Sequence, residues 1–196
     1  MFPDLTRDDV FRIETARLWL RWPVARDAQT VARLAGEPAI ARMTARIPSP
    51  LSLHEAEAFV IRARACNAAG EGLVMAISRR AAPAGLIGIV SIEPRPEDPA
   101  PHLGYWLGQP YWGEGLMTEA ATALAEAYFA YAGGGTLASA AMADNPASRR
   151  VLEKCGFAPT GQDVHFSLSR GRAVASDTFR LDRAGWLAGR ETGDRL

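Results

Sequence analysis

The segment Gly104-Tyr105-Trp106-Leu107-Gly108-Gln109-Pro110-Tyr111-Trp112-Gly113-Glu114-Gly115-Leu116-Met117-Thr118-Glu119-Ala120 constrains the fold more than any other. His102 to Leu107 reads as a strand, Gly108 to Pro110 as a sharp turn, and about Gly113 to Ala132 as a long helix. Leu116, Ala120, Leu124, Ala127 and Tyr128 give that helix one apolar face. A strand feeding directly into a helix calls for a crossover. Gly113 and Gly115 at the helix start let a bulky group approach free backbone N–H donors and the positive dipole end. A phosphate or pyrophosphate is the natural occupant.

The rest of the pattern builds outward from this unit. Arg17-Leu18-Trp19-Leu20-Arg21-Trp22 alternates as a strand, and Arg26 to Leu34 reads as a short helix ended by Gly36 and Pro38. Ser52 and Glu55 predict a capping box opening a helix over Leu53–Ala69, which Gly70 stops. Strands follow near Leu73–Arg79 and Leu86–Glu93. Pro94, Pro96, Pro99 and Pro101 are expected to keep the next connection out of the sheet interior. Leu137–Ala143 reads as a buried strand. Asn145 and Pro146 open a helix as N-cap and first residue, and Gly156 closes it ahead of Phe157. Two last strands are expected near Gln162–Ser169 and Ala173–Leu181. Early helices, antiparallel hairpins and one strand–helix–strand crossover describe an α+β (mixed α/β) sandwich, with a single domain over residues 1–196.

Composition narrows the function classes. The 196 residues carry 22 basic and 22 acidic side chains, a formal net charge of zero, with no long run of either sign. That disfavours general nucleic-acid or membrane-surface binding. Two cysteines, Cys66 and Cys155, point to a reducing compartment. No Cys/His spacing suits a metal. Met1-Phe2-Pro3-Asp4 lacks the features of a signal peptide, and the most apolar stretch, Ala120–Ala132, is too short to span a bilayer. A cytoplasmic monomer or homodimer without a metal is the expectation.

The glycines alone leave alternatives open. With Asp144 at the end of the next strand, Gly113-Glu114-Gly115 could begin a dinucleotide fingerprint. Thr118 holds the third glycine position, however, and the unit follows antiparallel hairpins rather than a repeated βαβ array. The glycines could also serve helix–sheet packing alone.

The wider pattern shifts the balance among these. Leu103 to Leu107, Tyr111 to Ala120, and Asn145-Pro146-Ala147-Ser148-Arg149-Arg150-Val151-Leu152-Glu153-Lys154-Cys155-Gly156-Phe157 occur in order. Together with Glu14 to Arg21 and Asp177 to Trp186, they closely resemble the GNAT superfamily of acyl-CoA-dependent N-acetyltransferases. The branch resembled is that of the ribosomal-protein alanine acetyltransferases. The resemblance implies a curved mixed sheet flanked by helices, with two strands, here His102–Leu107 and Leu137–Ala143, splaying apart. It places the cofactor's pantetheine arm in that opening, against the main chain of Tyr105, Trp106 and Leu107. Gly113, Glu114, Gly115, Met117 and Thr118 inherit the pyrophosphate cradle. Asn145, Ser148 and Arg149 inherit further cofactor contacts, Arg150 competing with Arg149 for a phosphate. Pro110 departs from the superfamily pattern, which begins with Gln or Arg there.

Acyl transfer to an amine needs a neutral amine, a donor for the tetrahedral oxygen, and protonation of the departing thiolate. An α-amine with pKa about 8 is roughly one-tenth neutral at pH 7; a lysine near 10.4 lies about 3 kcal/mol further away. An α-amine therefore needs only a modest base. His102, where this branch often carries Glu, is the first candidate base, and Glu93, at the end of the preceding strand, is the second. Ser148, one turn into the Asn145–Pro146 helix, faces the same opening and is the candidate to protonate the leaving sulfur or hold it by a hydrogen bond; the superfamily often uses a Tyr as that acid, and none occupies the matching position here. Cys155 has no adjacent His and sits at a helix end, which argues against a covalent route. The implied activity is acetyl transfer from acetyl-CoA to a primary amine, preferably a protein N-terminus. A small-molecule amine and a non-catalytic acyl-CoA sensor are the alternatives. The acceptor groove is expected between the early helices, the loop Thr44–Leu51, Trp106 and the last hairpin.

Overall fold

The computed structural model describes residues 11–191. The segment Met1–Asp4, read above for targeting signals, lies outside them. Eight strands form one mixed sheet in the order β1-β2-β3-β4-β5-β6-β8-β7. They are β1 (Arg12–Glu14), β2 (Leu18–Arg21), β3 (Leu73–Arg79), β4 (Ala82–Arg95), β5 (Asp98–Leu107), β6 (Thr136–Met142), β7 (Ala158–Ser167) and β8 (Arg172–Asp182). Helices α1 (Asp27–Ala35), α2 (Pro38–Ala41) and α3 (Leu53–Ala69) precede β3. Helix α4 (Leu116–Tyr131) makes the crossover from β5 to β6, α5 (Pro146–Lys154) follows β6, and α6 (Arg183–Glu191) ends the described chain. This is the α+β architecture expected for the resembled family, with one parallel strand pair.

Strand alternation loads both faces of the sheet. Val74, Ala76, Ile89 and Trp106 pack with α1 and α3. Leu73, Met75, Ile77, Val90, Ile92, Leu103 and Leu107 pack with α4 on the other face. The period of two in β3, β4 and β5 therefore aims adjacent residues at different helical layers. The α3 capping box forms as the sequence predicts: Ser52 Oγ accepts the Glu55 amide while Glu55 accepts the Ser52 amide. Gly156 takes φ of 86° at the end of α5, and the Phe157 amide reaches back to the Leu152 carbonyl.

Four local departures have physical reasons. Pro94, Pro99 and Pro101 lie within β4 and β5, not in a connection outside the sheet. They are tolerated because the ladder is irregular between the pairs Glu93–His102 and Arg95–Asp98, so no regular hydrogen bond is lost there. Helix α4 begins at Leu116 rather than Gly113, because Gly113 and Gly115 adopt φ of 81° and 75°, outside any right-handed helix. Pro38 opens the short α2 as its first residue instead of ending a helix. Helix α6 and the short β1 carried no clear sequence signal; α6 is fixed by Trp186 stacking on Phe129 of α4.

Candidate functional site

The seam between β5 and β6 organises the site. Their one ladder pair is His102 with Ala138, and Ser139 Oγ donates to the Leu103 carbonyl at 2.8 Å beside it. Beyond that point β5 remains paired to β4 through Leu107, and β6 remains paired to β8 through Met142. The two strands thus separate from Gly104 onward while each keeps its outer partner. A cavity of about 1440 Å³ occupies the opening and extends past both of its ends.

One end of the cavity is the start of α4. Among the described residues no side chain caps this helix, and its first i−4 bond runs from the Glu119 amide to the Gly115 carbonyl at 3.1 Å. The Leu116, Met117 and Thr118 amides precede that bond and have no intrahelical acceptor. A Cβ on Gly113 would meet no protein atom within 4 Å, so the main chain there borders open space. Gly113, Gly115, Met117 and Thr118 line the cavity. The Glu114 side chain instead takes two hydrogen bonds from Arg79 Nη2, at 2.7 and 2.8 Å, and its carbonyl accepts Arg17 Nη1.

A polar latch sets this turn in place. Glu119 in the first turn of α4 accepts Thr15 Oγ1 at 2.6 Å, the Arg17 amide at 2.9 Å and Arg17 Nε at 2.7 Å. The Thr15-Ala16-Arg17 entry to β2 is therefore a positioning element for the glycine turn, a role that local sequence spacing could not reveal. Burial raises the Glu119 carboxyl, but the Thr15 and Arg17 hydrogen bonds outweigh it and hold its pKa below the ordinary value.

The middle of the cavity brings β5 and α5 together. Asn145 Oδ1 caps α5 by accepting the Ser148 amide at 3.1 Å, leaving its NH₂ for another partner. Tyr105 Oη lies 2.9 Å from Ser148 Oγ and 3.1 Å from the Ser148 carbonyl. Burial pushes the Tyr105 phenol well above its ordinary pKa, so it stays protonated. Tyr105 entered the sequence reading for its main chain only; its hydroxyl becomes visible once β5 and α5 are docked. The Leu107 carbonyl already accepts the Trp112 indole at 2.7 Å. Trp106 lines the cavity from the α3 side.

The candidate bases separate. Glu93 lines the cavity and accepts Ser91 Oγ at 2.9 Å and Arg46 Nη2 at 3.3 Å. His102 is its cross-strand partner but is held by Asp98, with Nε2 3.0 Å from Oδ2. Burial drives the His102 pKa down, and Asp98 only partly opposes it. Burial also raises Asp98, but the Ala100 amide, His102 and Arg180 prevail and hold it at about 2. Both shifts are downward, so each contributes stability that is lost as pH falls. The Asp98 contribution is complete above about pH 4 and is lost as pH drops through about 2. Asp98→Asn is therefore expected to lower the urea midpoint most above pH 4, with the gap to wild type closing towards pH 2; a gap independent of pH would refute this linkage.

The two arginines of α5 also diverge. Arg150 and Lys154 line the cavity. Arg149, the expected phosphate contact, lies 3.4 Å from Glu153 and 3.5 Å from Asp177 and covers the Phe179 ring. Its helix phase turns it towards β8, whereas residue 150 faces the opening. Cys155 is buried between α4 and α5, with Sγ 3.4 Å from Thr122 Oγ1.

A clasp roofs the cavity. Arg170 in the β7–β8 turn is bidentate to Asp144, at 2.8 and 3.1 Å, and its Nε donates to the Arg42 carbonyl. Ser169 Oγ and the Leu168 amide bind the Ala41 and Ala45 carbonyls. These contacts tie the last hairpin to the loop after α2, the two segments expected to flank the acceptor. No helix among the described residues is long and apolar enough to cross a membrane, and no group of three His, Cys, Asp or Glu among them is placed to hold a metal.

Comparison with known proteins agrees with this geometry. The family model described as an acetyltransferase (GNAT) domain matches residues 17–158. A putative ribosomal-protein-serine acetyltransferase from Vibrio cholerae is 25% identical, with a TM-score of 0.73 over 89% of this chain and 98% of that one. The ribosomal-protein-S5-alanine acetyltransferase from Vibrio fischeri is 18% identical, with a TM-score of 0.75 over 90% and 98%. The microcin C7 self-immunity acetyltransferase MccE, solved with acetyl-CoA and AMP, is 18% identical, with a TM-score of 0.73 over 86% and 93%. No curated protein sequence matches. An opened β5–β6 seam leading to an uncapped, glycine-lined helix start, within a chain matched by the domain model from β2 to β7, places this protein in the GNAT superfamily of acyl-CoA-dependent N-acetyltransferases.

Proposed function

We propose that the chain transfers an acetyl group from acetyl-CoA to the α-amine of a protein N-terminus, by direct attack while both substrates are bound. The observation that carries this reading is the seam: one cavity is lined by the α4 N-terminus, the Tyr105–Ser148 pair and Glu93 together. Acetyl-CoA supplies an activated thioester. The Gly113–Thr118 turn is suited to its diphosphate through main-chain amides, and Arg150 and Lys154 add positive charge on the same wall. Unpaired backbone on β5 at Tyr105 and Trp106 suits the amide-bearing arm, with the Asn145 NH₂ opposite.

We assign the catalytic roles by position. Glu93 is the carboxylate on the cavity wall near the seam and accepts the amine proton through water. His102, its cross-strand partner and the first candidate from the sequence, ranks behind it because Asp98 holds its Nε2, and its test is substitution beside that of Glu93. Ser148 Oγ–H is placed for the departing sulfur when Tyr105 Oη donates to Ser148 Oγ. Two points favour an α-amine acceptor: its small deprotonation cost, and the likeness to enzymes named for ribosomal proteins.

Release of CoA thiol from acetyl-CoA is the test. Short peptides with free N-terminal Ala or Ser are expected to be turned over faster than the same peptides with a blocked N-terminus and a free lysine, by at least tenfold at pH 7.5. Equal rates on both would remove the α-amine preference. Faster turnover of small amines than of any peptide would point to the small-molecule alternative.

A further inference from the structure

The cavity does not stop at Glu93. Past it, between α3, the loop 42–51 and the end of β4, three guanidinium groups line the wall: Arg46, Arg62 and Arg95. Among the described residues, Glu55 and Glu93 are the carboxylates that line this part of the cavity, and Glu97 and Asp98 add their charge to Arg95 from outside it. Glu55 is spent on the Ser52 amide in the capping box. Glu93 is shared between Ser91 and Arg46. Arg95 is left with Glu97 at 4.0 Å, beyond hydrogen-bond length, although its side chain is only 26% exposed. Burial, and then the charge of Arg46, push its pKa below the ordinary value. Arg62 lies one helical turn before Cys66, whose thiol senses the Glu93 charge, and makes no ion pair among the described residues. Arg95 is thus the partly desolvated cation of the three, held without a hydrogen-bonded acid, while Arg46 (65% exposed, on Glu93) and the exposed Arg62 add positive charge to the same cavity. Holding a guanidinium out of water without a close partner is costly unless a ligand provides one.

We propose that this chamber binds an anionic group of the acceptor, a carboxylate or phosphate, beyond the amine that is acetylated. The inference rests on the acetyl-transfer reading above, which puts that amine at Glu93. Arg95 is two residues further along the strand, about 7 Å away. The side-chain carboxylate of Asp or Glu at the second residue of a peptide can reach that far; the α-carboxylate of a free amino acid, two bonds from its amine carbon, cannot. A carboxylate on a small ω-amino acid of matching length offers the same chemistry.

The test compares Ala-Asp-Gly-Gly-amide with Ala-Asn-Gly-Gly-amide, and 5-aminopentanoate with 5-aminopentanamide, by CoA thiol release. The acidic member of one pair is expected to have kcat/KM about tenfold or more above its amide, as for a charge-assisted contact. That preference should shrink as salt is raised. Arg95→Gln and, separately, Arg62→Gln should narrow it by slowing only the acidic acceptor. The pair that shows the preference identifies the source, peptide or small molecule. Turnover with no acid–amide difference in either pair overturns the chamber and leaves acetyl transfer standing. If neither pair is turned over, calorimetric titration of the same compounds into protein saturated with CoA separates the two ideas. Tighter binding of the acid that is lost in Arg95→Gln retains the anion site and overturns acetyl transfer to these amines; equal or absent binding overturns the anion site.

Discussion

Glu93→Gln is expected to lower kcat on an α-amine peptide about 100-fold or more at pH 7, with little change in acetyl-CoA affinity. The substitution keeps an oxygen that can accept from Ser91 and Arg46, so the local geometry survives while the proton acceptor is lost. The sign of its pH dependence is fixed by the substrate. An α-amine with pKa about 8 becomes self-sufficient in neutral form as pH rises, so the deficit should shrink between pH 7 and 9. A deficit unchanged over that range would mean that Glu93 holds the acceptor and does not take its proton. His102→Ala, measured in parallel, decides between the two candidates. A loss in that variant alone would assign the base to His102, despite the burial that keeps its pKa low and the Asp98 contact that occupies Nε2.

Phe129→Ala is expected to cost about 3–5 kcal/mol of stability, the largest effect of any single truncation considered. Phe129 is fully buried, stacks on Trp186 with centroids 5.2 Å apart, and meets Tyr128 edge-on at 5.1 Å. Removing the ring opens a cavity between α4 and α6 and strips Trp186 of its stacking partner. For a chain of this size the melting temperature should fall by roughly 10 °C or more. The same variant should retain acetyl-CoA binding at low temperature, because the glycine turn is latched at the other end of α4 by Glu119, Thr15 and Arg17. A shift of only a degree or two would show that α6 repacks or detaches without penalty.

Elements with strong local codes were legible from sequence. The Ser52–Glu55 box, the Asn145–Pro146 helix start and the Gly156 stop are decided by hydrogen bonds within four or five residues, so the same residues dictate the same geometry wherever the chain sits. The glycine turn was legible for a related reason. Gly113 and Gly115 occupy backbone conformations that most side chains resist, and the composition of the turn announces it. Where local rules misled, the sheet overrode them. Prolines read as breakers sit inside β4 and β5, because the irregular ladder between Glu93–His102 and Arg95–Asp98 asks no regular bond of them.

The primary sequence by itself determined the periodic core, the crossover and the glycine turn at the helix start, since each is a property of residues adjacent in the chain. The tertiary structure alone decided which side chains meet: Tyr105 with Ser148, Glu119 with Thr15 and Arg17, and Arg170 with Asp144; it also brought Arg46, Arg62 and Arg95 to the lining of one cavity. It likewise sent Arg149 to Asp177 and Arg150 to the cavity, and separated Glu93 from His102 in surroundings though they are paired in register. Such pairings depend on how whole elements dock, and docking is set by the summed burial of both sheet faces rather than by any short stretch of chain.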